Sequence, residues 1–225
     1  YIKYFFSFLI LAPIILFLIS QPDIGQTLLI ILTWLSLIFI SGINLFIFFS
    51  FFILISLLLS YLIFFVSKFQ YIQERLLSFL DPNIGNNYQS EKASEAITNG
   101  GFFGKGIGEG TLNTRVPEAH TDYIIAVISE EFGAIIVIAI MAIFLVFTYQ
   151  VLRKIYLERD NQIKLILVGS ISIMLLQTFI HIGVNIRLLP TTGMTLPFLS
   201  YGGSSIISTA ILSGIILNLT KRKIN

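Results

Sequence analysis

The chain has 225 residues, 56% of them hydrophobic and 12% charged, with a mean hydropathy of +0.90. Soluble domains carry roughly 45–50% apolar and about 25% charged residues, so this is the composition of an integral membrane protein. A net charge of +2 with no basic run longer than the terminal "KRK" excludes nucleic acid as a partner, and the lack of cysteine excludes disulfides and thiolate metal sites.

The chain starts at Tyr1 without the charged, apolar and cleavage regions of a signal peptide, so it reads as a segment of a longer protein whose N-terminal part is absent. About twenty apolar residues cross a bilayer core of roughly 30 Å. Six runs approach that length, at 4–20, 24–41, 45–66, 123–152, 163–186 and 205–220. They are rich in Leu, Ile and Phe and lack period-two alternation, which predicts an all-α polytopic transmembrane bundle rather than a barrel. Residues 1–225 are expected to form one membrane domain. Between the first two runs, "QPD" allows only a tight turn, and Asp23 heads the second run either as an N-cap or as an acid of a polar cleft.

Orientation follows from the short loops. Arg153, Lys154, Arg159 and Lys164 fall between two runs, Lys221, Arg222 and Lys223 lie in the tail, and Lys3 lies at the start. All three groups share one side if the runs alternate, which predicts cytoplasmic ends and places the connection 67–122 outside the cytoplasm as a large extracytoplasmic loop. That connection is too long to be structureless. Its first part, "FQYIQERLLSFLDP", has Phe69, Ile72, Leu76, Leu77 and Leu80 in a helical stripe ended by Asp81-Pro82, and fits either an interfacial helix or an extension of the third span. A short helix is expected from Ser90 to Ile97, followed by "GGFFGKGIGEG", where Gly104 and Gly106 flank Lys105. Such a run suits backbone N–H groups facing an anion, or simply a tight, turn-rich loop. It lacks the Lys-Ser/Thr ending of a nucleotide-binding loop.

In "VPEAHTDYIIAVISEEFG", Glu118, His120 and Asp122 alternate just before an apolar run. Thr121 or Asp122 could cap the following helix. Asp122, Ala126 and Glu130 are spaced i, i+4, i+8, which puts both carboxylates on one helical face. An ionised Glu130 two turns into a span would cost roughly 2.5–3.5 kcal/mol against lipid, so the pair points to a polar cleft. Gln177, His181 and Asn185 repeat that spacing, with Arg187 beyond them. Interhelical hydrogen bonding accounts for Gln177, whereas His181 and Arg187 are assigned to the cleft. The following "LLPTTGMTLPFLSYGGSS" has Pro190, Pro197 and three glycines in a partly apolar setting, the pattern of a re-entrant loop that would bring Ser200 and Tyr201 to a cavity.

Taken together, "QPDIGQT", "YQSEKASEAITNGGFFGKGIGEG", "PEAHTDYIIAVISEEFG" and "HIGVNIRLLPTTGMTLPFLSYGGSS" resemble, in order and spacing, the cell-shape, division and sporulation (SEDS) family. The resemblance covers nearly the whole chain, and "PTTGMTLPF" is closer to the family's division branch than to its elongation branch. It implies the C-terminal helices of a peptidoglycan glycosyltransferase of the bacterial cytoplasmic membrane, sited at the division septum. The implied substrate is lipid II, a disaccharide-pentapeptide on an undecaprenyl diphosphate carrier. The implied partners are a class B penicillin-binding transpeptidase and other division proteins. The family's essential aspartate carries over to Asp122 in "HTD", with Glu118 and His120 in auxiliary places of the same motif. Tyr123 stands where Phe is common, and Ser129 where Gly or Ala is common.

The implied chemistry needs a base for the acceptor sugar's 4-hydroxyl and a cation for the departing diphosphate. Asp122 is the candidate base, with its pKa expected to rise in a partly apolar cleft. Lys105, Arg187, the backbone around Gly104 and Gly106, or a divalent cation such as Mg or Mn held by carboxylates are candidates for the second task, and no ligand spacing specifies a metal. A lipid II flippase and a non-catalytic scaffold for the transpeptidase are the alternative functions.

Overall fold

A computed structural model describes residues 2–81, 88–116 and 118–221. Pro82, Pro117, Arg222 and Lys223, which entered the sequence reading, lie outside the described residues. Every regular element among those described is helical: α1 (Ile2–Ser20), α2 (Ile24–Ile40), α3 (Leu45–Phe65), a 3-10 turn (Ser67–Phe69), α4 (Gln70–Leu80), α5 (Tyr88–Gly100), α6 (Leu112–Arg115), α7 (Ile124–Phe132), α8 (Ala134–Leu157), α9 (Asn161–Asn185) and α10 (Gly203–Thr220). Four of these, α3, α8, α9 and α10, are long and apolar enough to cross a membrane, and α1 and α2 are shorter apolar helices. The chain is a multi-pass membrane protein.

Asp23 accepts the Gln26 amide at 2.9 Å as the N-cap of α2, and Asp160 caps α9 in the same way through Gln162. The buried spine is α9, against which α2, α8 and α10 pack. Three apolar cores follow from that arrangement. Leu11, Trp34, Leu35 and Ile55 join α1, α2 and α3. Val151, Leu167, Met174 and Ile216 join α8, α9 and α10. Leu29, Ala93, Leu112, Tyr123, Ala126, Ile180 and Met194 join α2, α5, α6, α7, α9 and the 186–202 segment, and this third core includes Tyr123, the residue after Asp122. Outward-facing Phe46, Phe65, Ile138 and Ile143 are exposed; in a spanning helix such surface meets lipid tails, as apolar as the side chains themselves.

The sequence predicts one span over 123–152, but the structure divides it at Gly133, whose φ of +84° ends α7 before α8 begins. The glycine-rich loop forces the break. Gly133 meets the Phe102 carbonyl and Gly104 meets the Glu131 carbonyl so closely that neither position has room for a Cβ. The Ala134 amide then bonds Gly101 O at 2.9 Å, and the Lys105 and Gly106 amides bond the carbonyls of Glu130 and Glu131 at 2.9 and 3.0 Å. The 70–80 segment is a separate helix rather than an extension of α3, because Val66 is extended (φ −108°, ψ 114°) and interrupts the ladder. Helix α5 is longer than the expected 90–97, and α6 was not anticipated.

The 186–202 segment re-enters the bundle. It turns back on α9 through the Leu188 and Leu189 amides, both donated to Gly183 O. It then descends so that His181 Nδ1 bonds Met194 O at 2.7 Å and Gln177 Nε2 bonds Thr195 O at 2.9 Å. From Asn185 to Gln177 is eight helical residues, so the loop penetrates about 12 Å along α9. Gly25 allows α2 to close on it: a Cβ there would stand 2.7 Å from Met194 Cγ and 3.0 Å from Thr192 O.

Candidate active site

Asp122 precedes α7, whose N-cap position is Tyr123 and which has no side-chain cap from its own chain end. The orphan amide of Ala126 is instead satisfied by Asn185 Oδ1 of α9 at 3.2 Å. Asn185 Nδ2 in turn donates to Asp122 O at 3.0 Å and to His181 O at 2.8 Å. Asn185 is fully buried, and it fixes the backbone of Asp122 while its carboxylate takes no part in capping. A Cβ placed on Gly193 of the re-entrant loop would lie 3.5 Å from Asp122 Oδ2, so the carboxylate stands over that loop.

Burial pushes the Asp122 pKa up to about 6, helped by the neighbouring Glu118 carboxylate and opposed by the Arg75 guanidinium and a Thr121 hydrogen bond. Such a group is largely ionised at neutral pH yet retains real proton affinity, the balance a general base requires. Glu118 accepts from Thr121 Oγ1 at 3.0 Å and is exposed. His120 is exposed too, its ring set edge-on to Tyr201 at 5.7 Å, and its carbonyl accepts the Tyr201 amide at 3.1 Å. Ser200 is buried, donates to Thr121 O at 2.6 Å and accepts from Leu196 N at 2.7 Å. Its hydroxyl bolts the re-entrant loop to the Asp122 segment.

The structure therefore gathers Glu118, His120, Asp122, Ser200 and Tyr201 and separates them from the second predicted group. Glu130 is 1% exposed and wholly engaged: it accepts from Thr111 N, Leu112 N, Thr111 Oγ1 and Lys105 Nζ at 3.0, 3.0, 3.2 and 3.1 Å. Instead of facing a cleft two turns into a span, it anchors the glycine-rich loop at the end of α7. Gly104 and Gly106 serve the backbone crossing, with the amide of Gly106 already given to a carbonyl. His181 likewise supports the re-entrant loop; its Nδ1 bonds a carbonyl and so carries the proton, and Nε2 has no partner among the described residues.

A third group borders an apolar cavity of about 230 Å³ between α1, α2, α3, α4, α9 and the re-entrant loop. Asp23, Tyr71, Arg75, Thr191 and Thr192 line it. Thr192 is bonded in sequence to Gly193, so the cavity wall and the surface under Asp122 are adjacent residues of one loop. Arg75 and Tyr71 were not singled out from sequence, although they occupy i+4 and i of α4 beside its apolar stripe, and a cation on that edge is the available signal. Arg187 lines a small polar cleft with Arg75. Among the described residues no three His, Asp or Glu side chains cluster to hold a metal. Asp122 and Glu118 offer two carboxylates, short of the six oxygens a hard divalent cation takes, and no step is routed through one.

Residues 1–225 match the family of FtsW, RodA and SpoVE, described as cell cycle proteins. The chain belongs to this family. A probable peptidoglycan glycosyltransferase FtsW of Caulobacter vibrioides is 32% identical over 223 residues, covering 96% of this chain and 55% of that protein. Proteins of the same description from Geobacter metallireducens and Buchnera aphidicola subsp. Baizongia pistaciae are 35% and 39% identical, covering 95% and 92% of this chain and 57% and 55% of theirs. A solved chain of a peptidoglycan synthase complex that coordinates polymerization and crosslinking superposes with a TM-score of 0.71 at 25% identity, over 92% of this chain and 58% of that one. The chain thus spans a little over half the length of the curated relatives it matches.

Proposed function

We propose that the protein to which this chain belongs is a peptidoglycan glycosyltransferase that polymerises lipid II during cell division. It works in the bacterial cytoplasmic membrane, at the septum, with a class B penicillin-binding transpeptidase and other division proteins. The observation that carries this reading is the Asp122 carboxylate: relieved of capping by Asn185, tuned to about 6, and set over a re-entrant loop that also walls an apolar cavity. Relatives named as FtsW glycosyltransferases and the likeness to a synthase-complex chain support it.

In this reaction Asp122 takes the proton from the acceptor sugar's 4-hydroxyl as that oxygen attacks the donor's anomeric carbon. A new C–O bond forms, the bond from the anomeric carbon to the diphosphate breaks, and its electrons leave with the lipid-linked diphosphate. The isoprenoid chain belongs in the apolar cavity, whose walls are mostly Leu, Ile, Phe and Pro side chains. Holding both saccharides against Asp122 supplies proximity, and the half-buried setting keeps the carboxylate poorly hydrated and basic.

The test is full-length protein with its transpeptidase partner, given labelled lipid II. Wild type makes glycan strands, and Asp122→Asn, which keeps shape but not basicity, loses a factor of about 10² to 10⁴ in rate with an unchanged melting temperature. Near-normal polymerisation by Asp122→Asn removes Asp122 as the base. Translocation of lipid II without polymer by wild type turns the reading into a flippase, and neither activity into a scaffold.

A further inference from the structure

The tip of the glycine-rich loop presents three large apolar side chains within six residues. Phe102, Phe103 and Ile107 are 72%, 85% and 80% exposed among the described residues. The loop is not free to tuck them in. Gly100 and Gly104 pack against the backbone of Ser129 and Glu131, and Gly133 against Phe102, too closely for any Cβ. The amides of Gly104, Lys105 and Gly106 are given to the carbonyls of Gly100, Glu130 and Glu131. A fixed scaffold that holds apolar side chains outward marks a contact surface.

The height of this tip in the membrane follows from α8. The first two amides of that helix, those of Ala134 and Ile135, are taken by the carbonyls of Gly101 and Phe102 at 2.9 and 3.4 Å. The loop therefore caps the span, which has no side-chain cap of its own. From Ala134 to Leu152 the span is nineteen residues without a charge, about 28 Å of helix against a hydrocarbon core of roughly 30 Å. Arg153 and Lys154 follow and set one boundary of the core, so Ala134, with the loop bonded to it, falls at the other. Ile135, Ile136 and Ile138 of the first turns of α8 are exposed, and the loop tip adjoins this lipid-facing wall. Between Phe102 and Ile107 the one charge is Lys105, a partly exposed cation that suits the level of lipid phosphates. The loop amides and carbonyls already bonded to α7 and α8 need no water, so the tip can enter the boundary at little cost.

We propose that Phe102, Phe103 and Ile107 insert into the headgroup–acyl boundary of the leaflet at the start of α8, the extracytoplasmic one by the Lys and Arg of the α8–α9 turn. The partner is the phospholipid surface itself, met as a continuation of the α8 wall. One helix of nine residues, α7, joins this anchor to the Asp122 segment, so the anchor holds Asp122 at a set distance from the headgroups. The contact is independent of any catalytic activity.

Nitroxide labels on full-length protein, in nanodiscs of phosphatidylethanolamine and phosphatidylglycerol and freed of any other cysteine, test it. Phe102→Cys, Phe103→Cys and Ile107→Cys are compared with Ile138→Cys as the lipid reference and Glu91→Cys, an exposed position of α5, as the water reference. Oxygen concentrates in lipid and a nickel chelate stays in water. Labels at 102, 103 and 107 should meet nickel several-fold less often than the label at 91, and oxygen more often. Nickel contact equal to that at 91 overturns the proposal and leaves the tip in water, free for a soluble protein domain. Low contact with both reagents also overturns it, since another part of the protein then covers the tip. Phe103→Trp, with the wild-type spectrum subtracted, gives a reading without a label if a cysteine variant melts early. Its quenching by dibrominated phospholipid should exceed quenching by aqueous iodide several-fold, and equal or reversed quenching overturns the proposal.

Discussion

Asn185 of α9 does for α7 what Asp122 would otherwise do. Its Oδ1 takes the Ala126 amide and its Nδ2 holds the carbonyl of Asp122, so one buried amide caps the helix and positions the acid, whose carboxylate takes no part in capping. This division of labour predicts opposite outcomes at the two positions. Asn185→Leu leaves the Ala126 amide and the Asp122 carbonyl unpaired in the core, at about 1–3 kcal/mol each. The melting temperature in detergent should fall markedly and activity with it. Asp122→Asn should leave the melting temperature within a degree or two while abolishing most of the rate.

The pH dependence follows from the environment of Asp122. Its folded pKa of about 6 lies above the ~3.9 of an unfolded aspartate, so protonation favours the fold: the stabilisation grows as pH falls from about 6 toward 4 and is lost as pH rises through 6. Under the proposed mechanism activity runs the other way, because a base must be ionised to accept a proton. kcat/KM should rise about tenfold per pH unit below 6 and level off above it. Glu118→Gln removes a neighbouring negative charge and should move that limb to lower pH, and Arg75→Ala should move it higher. A limb left in place by both substitutions would mean that another group controls it.

Much of this was legible in the sequence, for reasons particular residues make clear. The apolar runs announce spans because bilayer thickness fixes their length, and Pro190 and Pro197 with nearby glycines mark a loop that cannot be helical. Asp122 stands out because an acid beside an apolar run demands an explanation. From the sequence, Glu130 and His181 are assigned to a polar cleft and Gln177 to interhelical hydrogen bonding, since i, i+4 spacing shows that residues share a face but not what the face meets. Glu130 meets the amides of α6 and Lys105, and Gln177, His181 and Asn185 meet backbone, because the irregular segments opposite them have unpaired groups to satisfy. The break at Gly133 was hidden as well: it arises from backbone contact with Phe102 and Gly104, thirty residues away, which no local pattern reports.

Orientation in the membrane is predicted by Lys and Arg alone. Arg153, Lys154, Arg159 and Lys164 sit at the α8–α9 turn, opposite in the bundle to the connection bearing α4, α5 and α6. Reporter fusions after Asn99 and after Asp160 should therefore report opposite sides, with Asp160 cytoplasmic. Identical reports would sink this topology, and with it the placement of Asp122 outside the cytoplasm.

The last prediction separates anchoring from substrate contact in the Lys105–Glu130 pair. Glu130 is buried and accepts four hydrogen bonds, whereas the Lys105 side chain keeps 35% of its surface exposed. Removing the carboxylate leaves two backbone amides, a hydroxyl and an ammonium without their acceptor, so Glu130→Ala should cost about 3–5 kcal/mol and loosen the glycine-rich loop. Lys105→Ala leaves Glu130 with three donors and removes one half-exposed charge, and should cost about 1 kcal/mol or less. If the pair only anchors the loop, lipid II polymerisation should track melting temperature across Glu130→Ala, Glu130→Gln and Lys105→Ala, with KM unchanged in Lys105→Ala. A Lys105→Ala protein that melts like wild type but shows a tenfold higher KM would instead place that ammonium on the substrate, with Glu130 as its resting partner.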